Sequence, residues 1–158
     1  MKIVYLSLGS NVGDRDKLLA RTLERLASDD IRVVRVSSVY ETEPRDVRDQ
    51  PWFLNQVVEV ETSLFPKQLL ARLQKIEIGM GRVRMEARGP RTVDIDILFY
   101  GNAIVSTPGL EIPHPRLPDR RFVLEPLAEL APEFRHPRTR QTVREMLAVV
   151  RHQKVHRV

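Results

Sequence analysis

Asp94 and Asp96 are separated by one residue in the run Val93-Asp94-Ile95-Asp96-Ile97-Leu98. In a strand, side chains alternate across the sheet, so both carboxylates leave from one face while Ile95 and Ile97 enter the core. Two neighbouring carboxylates repel each other unless a cation joins them. A hard divalent ion with oxygen ligands meets that need, and magnesium carried by nucleotide phosphate is the usual case. Just upstream, Arg82, Arg84, Arg88 and Arg91 fall in a polar stretch from Gly81 to Thr92. The guanidinium fork matches phosphate oxygens. Metal-binding acids beside a cationic loop suit a polyphosphate whose charge must be neutralised during transfer. Either feature alone also describes solvated surface, an exposed Asp-x-Asp or a basic loop. Their adjacency favours the metal and phosphate reading.

No Gly-x-x-x-x-Gly-Lys-[Ser/Thr] loop occurs, and no Gly-x-Gly-x-x-Gly follows a strand. A P-loop kinase and a Rossmann enzyme are therefore disfavoured, and any nucleotide is held by side chains and magnesium instead of a glycine cradle.

The elements that must position these residues follow from periodicity. Residues 2–8 are nearly all apolar and read as a buried strand. Leu18, Leu19, Thr22, Leu23, Leu26 and Ala27 have helical spacing, with Asp14 or Asp16 as N-cap. Residues 31–41 read as a second strand, 42–52 as a loop and 53–62 as a third strand. Pro66 opens a helix with Leu69, Leu70, Leu73 and Ile76 as its buried stripe, and Gly79 and Gly81 stop it. Val93 to Tyr100 is a fourth strand, with a short hairpin through Gly101-Asn102. Residues 106–120 read as irregular and 121–130 as a helix, and Thr142 with Glu145 has capping-box spacing before a last helix. The order strand–helix–strand–strand–helix–strand predicts an α+β, ferredoxin-like sandwich. It has a four-stranded antiparallel sheet, helices on one face and a short C-terminal extension. The other face is left free to build a site.

At 158 residues and 42% hydrophobic, the chain suits one domain over 1–158 with a real core. It has no cysteine, which excludes disulfides, zinc thiolates and thiol nucleophiles. No window approaches the roughly 20 apolar residues that span a bilayer. A cytoplasmic location and no membrane partner are expected. The net charge of +5 points to an anionic partner, nucleic acid or phosphorylated small molecules.

The stretch Gly89-Pro90-Arg91-Thr92-Val93-Asp94-Ile95-Asp96-Ile97-Leu98 resembles the signature of the hydroxymethyldihydropterin pyrophosphokinases. Further matches lie in order along roughly residues 3–135: Leu8-Gly9-Ser10-Asn11, Ser38-Val39-Tyr40-Glu41-Thr42, Phe53-Leu54-Asn55, Pro113-His114-Pro115-Arg116 and Arg121-Phe122-Val123-Leu124. The resemblance implies transfer of the β,γ-pyrophosphoryl unit of ATP to the hydroxymethyl oxygen of 6-hydroxymethyl-7,8-dihydropterin, with AMP leaving. It implies that Asp94 and Asp96 ligate two magnesium ions and that Arg82 and Arg91 contact the phosphates. Arg84 and Arg88 would lie on a loop that closes over ATP. Gln74, Glu77, Ile97 and His114 would line the nucleotide site, with Arg120 or Arg121 adding a contact. His114 has the alternative of bracing its own loop. A monomer is expected.

A pterin needs stacking on its faces and amide contacts on its edge. Phe53 and Asn55, two apart in a strand, share a face. Phe53 and Phe122 would sandwich the ring, each contact being worth ~1 kcal/mol. Asn55, with backbone groups near Thr42 and Pro44, would read its edge. Asparagine is depleted in strands, which sets Asn55 apart. Here the tryptophan that many family members carry between the positions of Arg88 and Gly89 is absent, and the loop is one residue shorter.

An RNA-recognition domain shares the expected topology. Its aromatic-rich strand motif is absent, and acids on the sheet face would repel nucleic-acid phosphate, so no nucleic-acid partner is expected. His136, His152 and His156 have no partner pattern and read as surface residues.

Overall fold

The computed structural model describes residues 1–10, 13–42, 52–81 and 93–158. The elements in chain order are β1 (Lys2–Ser10), α1 (Arg15–Leu26), β2 (Ile31–Val36), β3 (Tyr40–Thr42), β4 (Phe53–Thr62), α2 (Pro66–Gly79) and β5 (Asp94–Tyr100). There follow β6 (Val105–Thr107), β7 (Leu110–Ile112), a 3-10 turn (Leu117–Asp119), α3 (Arg121–Leu130), α4 (Val143–Val149) and β8 (His156–Arg157).

Local chemistry explains most of these boundaries. Asp14 caps α1, its side chain accepting from the Lys17 amide at 3.2 Å. Leu19, Thr22 and Leu26 form the buried stripe of α1. Pro66 stands in the first turn of α2, and Leu69, Leu73, Ile76 and Glu77 are its buried residues. Thr142 and Glu145 make the expected reciprocal cap of α4, at 3.1 and 3.0 Å.

The main sheet has six strands among the described residues, in the order β5-β1-β4-β3-β8, with β2 also paired to β4. The expected count of four is corrected in two places. The anticipated strand over residues 31–41 is broken into β2 and β3, because Ser37 takes over local pairing. Its hydroxyl accepts from the Val57 amide at 2.9 Å, where a ladder carbonyl would otherwise stand. The second addition is β8, which pairs antiparallel with β3. The small hairpin is β6–β7 at residues 105–112, later than expected. It turns at Gly109, whose φ of +82° suits glycine.

Helices cover both faces of the sheet, not one. On the first face α1 and α2 bury Leu19, Leu26, Leu69 and Leu73 against Val4, Leu6, Leu8, Val58 and Ile97. On the second, α3 and α4 bury Val123, Leu124, Leu127 and Met146 against Tyr5, Val57, Leu98 and Phe99. Each such side chain taken from water is worth about 1.5–3 kcal/mol. His136 is also buried here, edge-on to the Phe99 ring at 5.7 Å, and so is not a surface residue. The pairing of β1 with β5 slips by one residue between Tyr5 and Leu6. Leu98 and Phe99 therefore both join the second core, while Asp94 and Asp96 keep the phase set before the slip.

Candidate active site

The second core stops short of one end of the sheet. Beyond Val57 and Leu98 the residues on that face are Ser7 and Gly9 of β1, Asn55 of β4, and Asp94 and Asp96 of β5. Pairing aligns them in two rows. Asp94 lies opposite Gly9, Gly9 opposite Asn55, and Asn55 opposite Tyr40. In the next row Asp96 lies opposite Ser7, and Ser7 opposite Val57. The sheet order thus places two carboxylates on one flank of a floor made of serine and glycine, with an amide on the other. Two strand spacings separate Asp94 from Asn55, about 10 Å.

The flanks differ in exposure. Asp94 is half-buried and Asp96 exposed, while Ile95 and Ile97 are buried in the first core, as the alternation required. Among the described residues no group of three His, Cys, Asp or Glu could hold a metal ion. Among the described residues the carboxylates on this flank are Asp94 and Asp96. That suits magnesium, which usually takes one or two carboxylates and completes its shell with water and phosphate oxygens. On the opposite flank Asn55 is buried, and its amide donates to the Thr42 hydroxyl at 2.9 Å. Phe53, at the start of β4, and Phe122, at the start of α3, are both half-buried. The Arg120 guanidinium lies 5.4 Å from the Phe122 ring centre.

The expected nucleotide residues divide by location. His114 joins the site. Its amide donates to the Leu98 carbonyl at 3.1 Å, and its Nδ1 accepts from the Arg116 amide at 3.2 Å. A neutral imidazole that accepts at Nδ1 carries its proton on Nε2, so His114 braces its loop and keeps a donor. Burial pushes its pKa down, against the opposing pull of the Asp96 carboxylate. Glu77 is buried at the end of α2 and accepts from the Ile95 amide at 2.8 Å, fixing the strand between the two acids. Gln74 is exposed on the same helix.

Two expected contacts lie elsewhere. The Ile97 side chain points into the first core, away from the carboxylates, because strand alternation places it there. The Arg121 guanidinium turns away from the site to Glu125 at 2.8 Å and to the carbonyls of Arg151 and Gln153. Of the pair Arg120 or Arg121, only Arg120 stands beside Phe122. Pro44, Arg82, Arg84, Arg88 and Arg91 lie outside the described residues.

Sequence reasoning passed over Gly9 and Ser7 as the floor. A glycine inside a strand pattern was the available signal, since it marks a close approach to the backbone. It also passed over Arg15, which donates to Glu41 at 2.9 Å and to the Trp52 carbonyl at 2.6 Å. That arginine joins the end of β3 to the residue preceding β4. No spacing in the chain signalled it.

Residues 5–132 match the model of the 7,8-dihydro-6-hydroxymethylpterin-pyrophosphokinase family. A pyrophosphokinase of Methylorubrum extorquens, named for 2-amino-4-hydroxy-6-hydroxymethyldihydropteridine, is 47% identical over 149 residues, covering 94% of this chain and 93% of that protein. The folic acid synthesis protein fol1 of Pneumocystis carinii is 46% identical over 136 residues, 86% of this chain; the chain spans only 18% of that protein's length. The crystal structure of Plasmodium falciparum HPPK-DHPS shares the fold at 17% identity, with a TM-score of 0.75 over 94% of this chain and 44% of that one. No helix among the described residues is long and apolar enough to cross a membrane. On the extent of the family match and the near full-length identity to the bacterial relative, the chain belongs to the 7,8-dihydro-6-hydroxymethylpterin-pyrophosphokinase family.

Proposed function

We propose that the chain acts as one domain that transfers the β,γ-pyrophosphoryl unit of ATP to the hydroxymethyl oxygen of 6-hydroxymethyl-7,8-dihydropterin. The observation that carries the reading is the row Asp94–Gly9–Asn55, an acid and an amide facing one another across a glycine. A flat pterin fits between them with its polar edge at Asn55 and its hydroxymethyl group toward the carboxylates. Phe53 and Phe122 would flank the ring, with offset contacts worth ~1 kcal/mol each.

In the reaction the hydroxymethyl oxygen forms a bond to the β-phosphorus, the bond from that phosphorus to the α,β-bridging oxygen breaks, and AMP leaves with that oxygen. The hydroxyl proton passes to solvent. Asp94 and Asp96 would hold two magnesium ions. Bound there, they would neutralise phosphate charge and lower the pKa of the attacking hydroxyl. Arg82 and Arg91 are proposed for the phosphates, with Arg84 and Arg88 closing over ATP and His114 Nε2 donating to a phosphate or ribose oxygen. Arg120 stands where it can add a charge, and Gln74 flanks the nucleotide. Thr42 holds the Asn55 amide, with Pro44 assigned to the same edge. The frame is a ferredoxin-like core, β5-β1-β4-β2, extended by β3 and β8. The monomeric state and a cytoplasmic location belong to the same proposal. Nucleic acid is a poor alternative, because α3 and α4 cover much of the face that an RNA-recognition domain leaves open.

Mixing the protein with ATP, magnesium and the hydroxymethyl pterin, and following AMP together with the pyrophosphorylated pterin, tests the reading. AMP formed only when both substrates are present is expected. AMP without pterin dependence, or no AMP at all, overturns it.

A further inference from the structure

The segment after α4 doubles back onto the pterin side of the sheet and is tied there at two joints. At the first, Gln153 is wedged against the start of α3. Its Nε2 donates to the Asp119 carbonyl at 2.8 Å, and its Oε1 accepts from the Arg121 amide at 2.9 Å. Arg121 closes this joint through its bonds to the Arg151 and Gln153 carbonyls, at 2.9 and 2.6 Å. At the second joint, β8 pairs with β3, His156 opposite Glu41 and Arg157 opposite Tyr40. The Val158 amide adds a bond to the Val39 carbonyl at 2.8 Å. His156 also stacks on Trp52, centroids 6.2 Å apart, next to Phe53.

The two joints tie the tail to the start of α3 and to β3. The start of α3 carries Phe122, and β3 carries Thr42, which holds Asn55. We propose that residues 151–158 form a strap setting the distance between Phe122 and the Thr42–Asn55 edge, with Gln153 as a positioning residue for the pterin. The inference rests on the assignment of that face to the pterin.

The core does not need the strap to seat α3, because Val123, Leu124 and Leu127 already bury that helix on the sheet. The far end of α3 is fixed as well: Glu129 accepts from the Ser38 amide at 2.9 Å and from the Tyr40 hydroxyl. In the first turn Arg121 and Phe122 are only half-buried, and the strap holds them through its bonds to Arg121. The strap links that turn to the same strand from the other side. β3 is three residues long and would otherwise be an edge, and β8 pairs with its Tyr40 and Glu41, next to Thr42. Small shifts matter here, because a misplacement of about 1 Å can cost on the order of 100-fold in rate.

Two variants of the full chain test this, each read by separate Kd measurements for pterin and for a non-hydrolysable ATP analogue, with a thermal melt as control. Gln153→Ala removes the two side-chain bonds of the first joint and leaves those of Arg121 to the backbone carbonyls. It is expected to raise the pterin Kd about tenfold and leave that of the ATP analogue within about twofold. The pair Glu41→Cys with His156→Cys puts thiols on directly opposed residues of the second joint, within disulfide reach. The chain has no other cysteine. Reduced, this protein is expected to bind pterin weakly; oxidised, it recovers the parent affinity within about twofold. An unchanged pterin Kd in Gln153→Ala, equal weakening of both ligands, or no response to oxidation overturns the strap. If the parent protein binds no pterin, the underlying site assignment fails instead. Should Gln153→Ala unfold, the redox comparison within one folded protein still decides.

Discussion

The Asn55 side-chain amide donates to the Thr42 hydroxyl at 2.9 Å, and this bond sets which way Asn55 faces. It leaves the carbonyl Oδ1 turned toward Gly9, 3.5 Å from where a β-carbon on that residue would stand. A second amide hydrogen remains for a ligand. The edge proposed for the pterin is therefore preorganised by a bond between two strands.

Asn55→Ala is expected to weaken pterin binding by ~1–3 kcal/mol, the cost of leaving polar partners unmade, while ATP binding stays within about twofold. Thr42→Val keeps the shape and removes the acceptor, so its loss should be the smaller. Calorimetric titration of each ligand separately checks the order.

Gly9 has no positive φ, and a β-carbon there would meet only ordinary contacts, so Gly9→Ala should fold with a stability change under about 1 kcal/mol. It nonetheless raises the floor between Asp94 and Asn55. The KM for pterin should rise several-fold in Gly9→Ala and further in Gly9→Val, and steady-state kinetics with a melting curve will show whether affinity and stability part company.

Asp94→Asn and Asp96→Asn should each lower turnover on the order of 100-fold and raise the magnesium concentration needed for half-maximal rate. Asp96 is exposed, so its variant should melt with the parent. AMP release measured across a magnesium series is the check; parent-like rates in both variants would remove the metal assignment.

Glu77 is expected to act through the strand it holds. Glu77→Ala strands the buried Ile95 amide and should cost ~1–3 kcal/mol in denaturant unfolding, whereas Glu77→Gln keeps an acceptor oxygen and recovers much of it. Equal losses in the two variants would argue against this role.

His136 makes stability fall on acidification. Burial, with Arg138 nearby, holds its pKa below the usual histidine value. Its Nδ1 accepts from the amides of Arg138 and Thr139 at 3.1 and 3.3 Å, and protonation there would set a donor against donors. The unfolded chain then binds more protons below about pH 6.5, so unfolding free energy drops as pH falls from there through the folded pKa. His114, shifted the same way, adds to the slope. His136→Asn, which keeps an acceptor, should flatten the melting temperature between pH 7 and 5.

The pattern within one segment was enough for several features. The shared face of Asp94 and Asp96, the buried stripes of the first two helices, a cap at Asp14 or Asp16 and the Thr142–Glu145 box follow from periods of two and 3.6 residues and from side chains acting on their own backbone. The family signature placed Asp94, Asp96 and Asn55 in one site without stating their geometry. The break at Ser37 was not legible, because it depends on Val57, a residue twenty positions away. Nor was the burial of His136 or the turning of Arg121 toward Gln153.

What residues alone determined is therefore the local chemistry: two acids on one face, an amide in a strand, and the cationic composition of the stretch beside them. The tertiary structure decided that Gly9 lies between Asp94 and Asn55, because that needs β1 to run between β5 and β4. Strand order is set by burying both faces of the sheet at once, a condition on the whole chain that no short window carries.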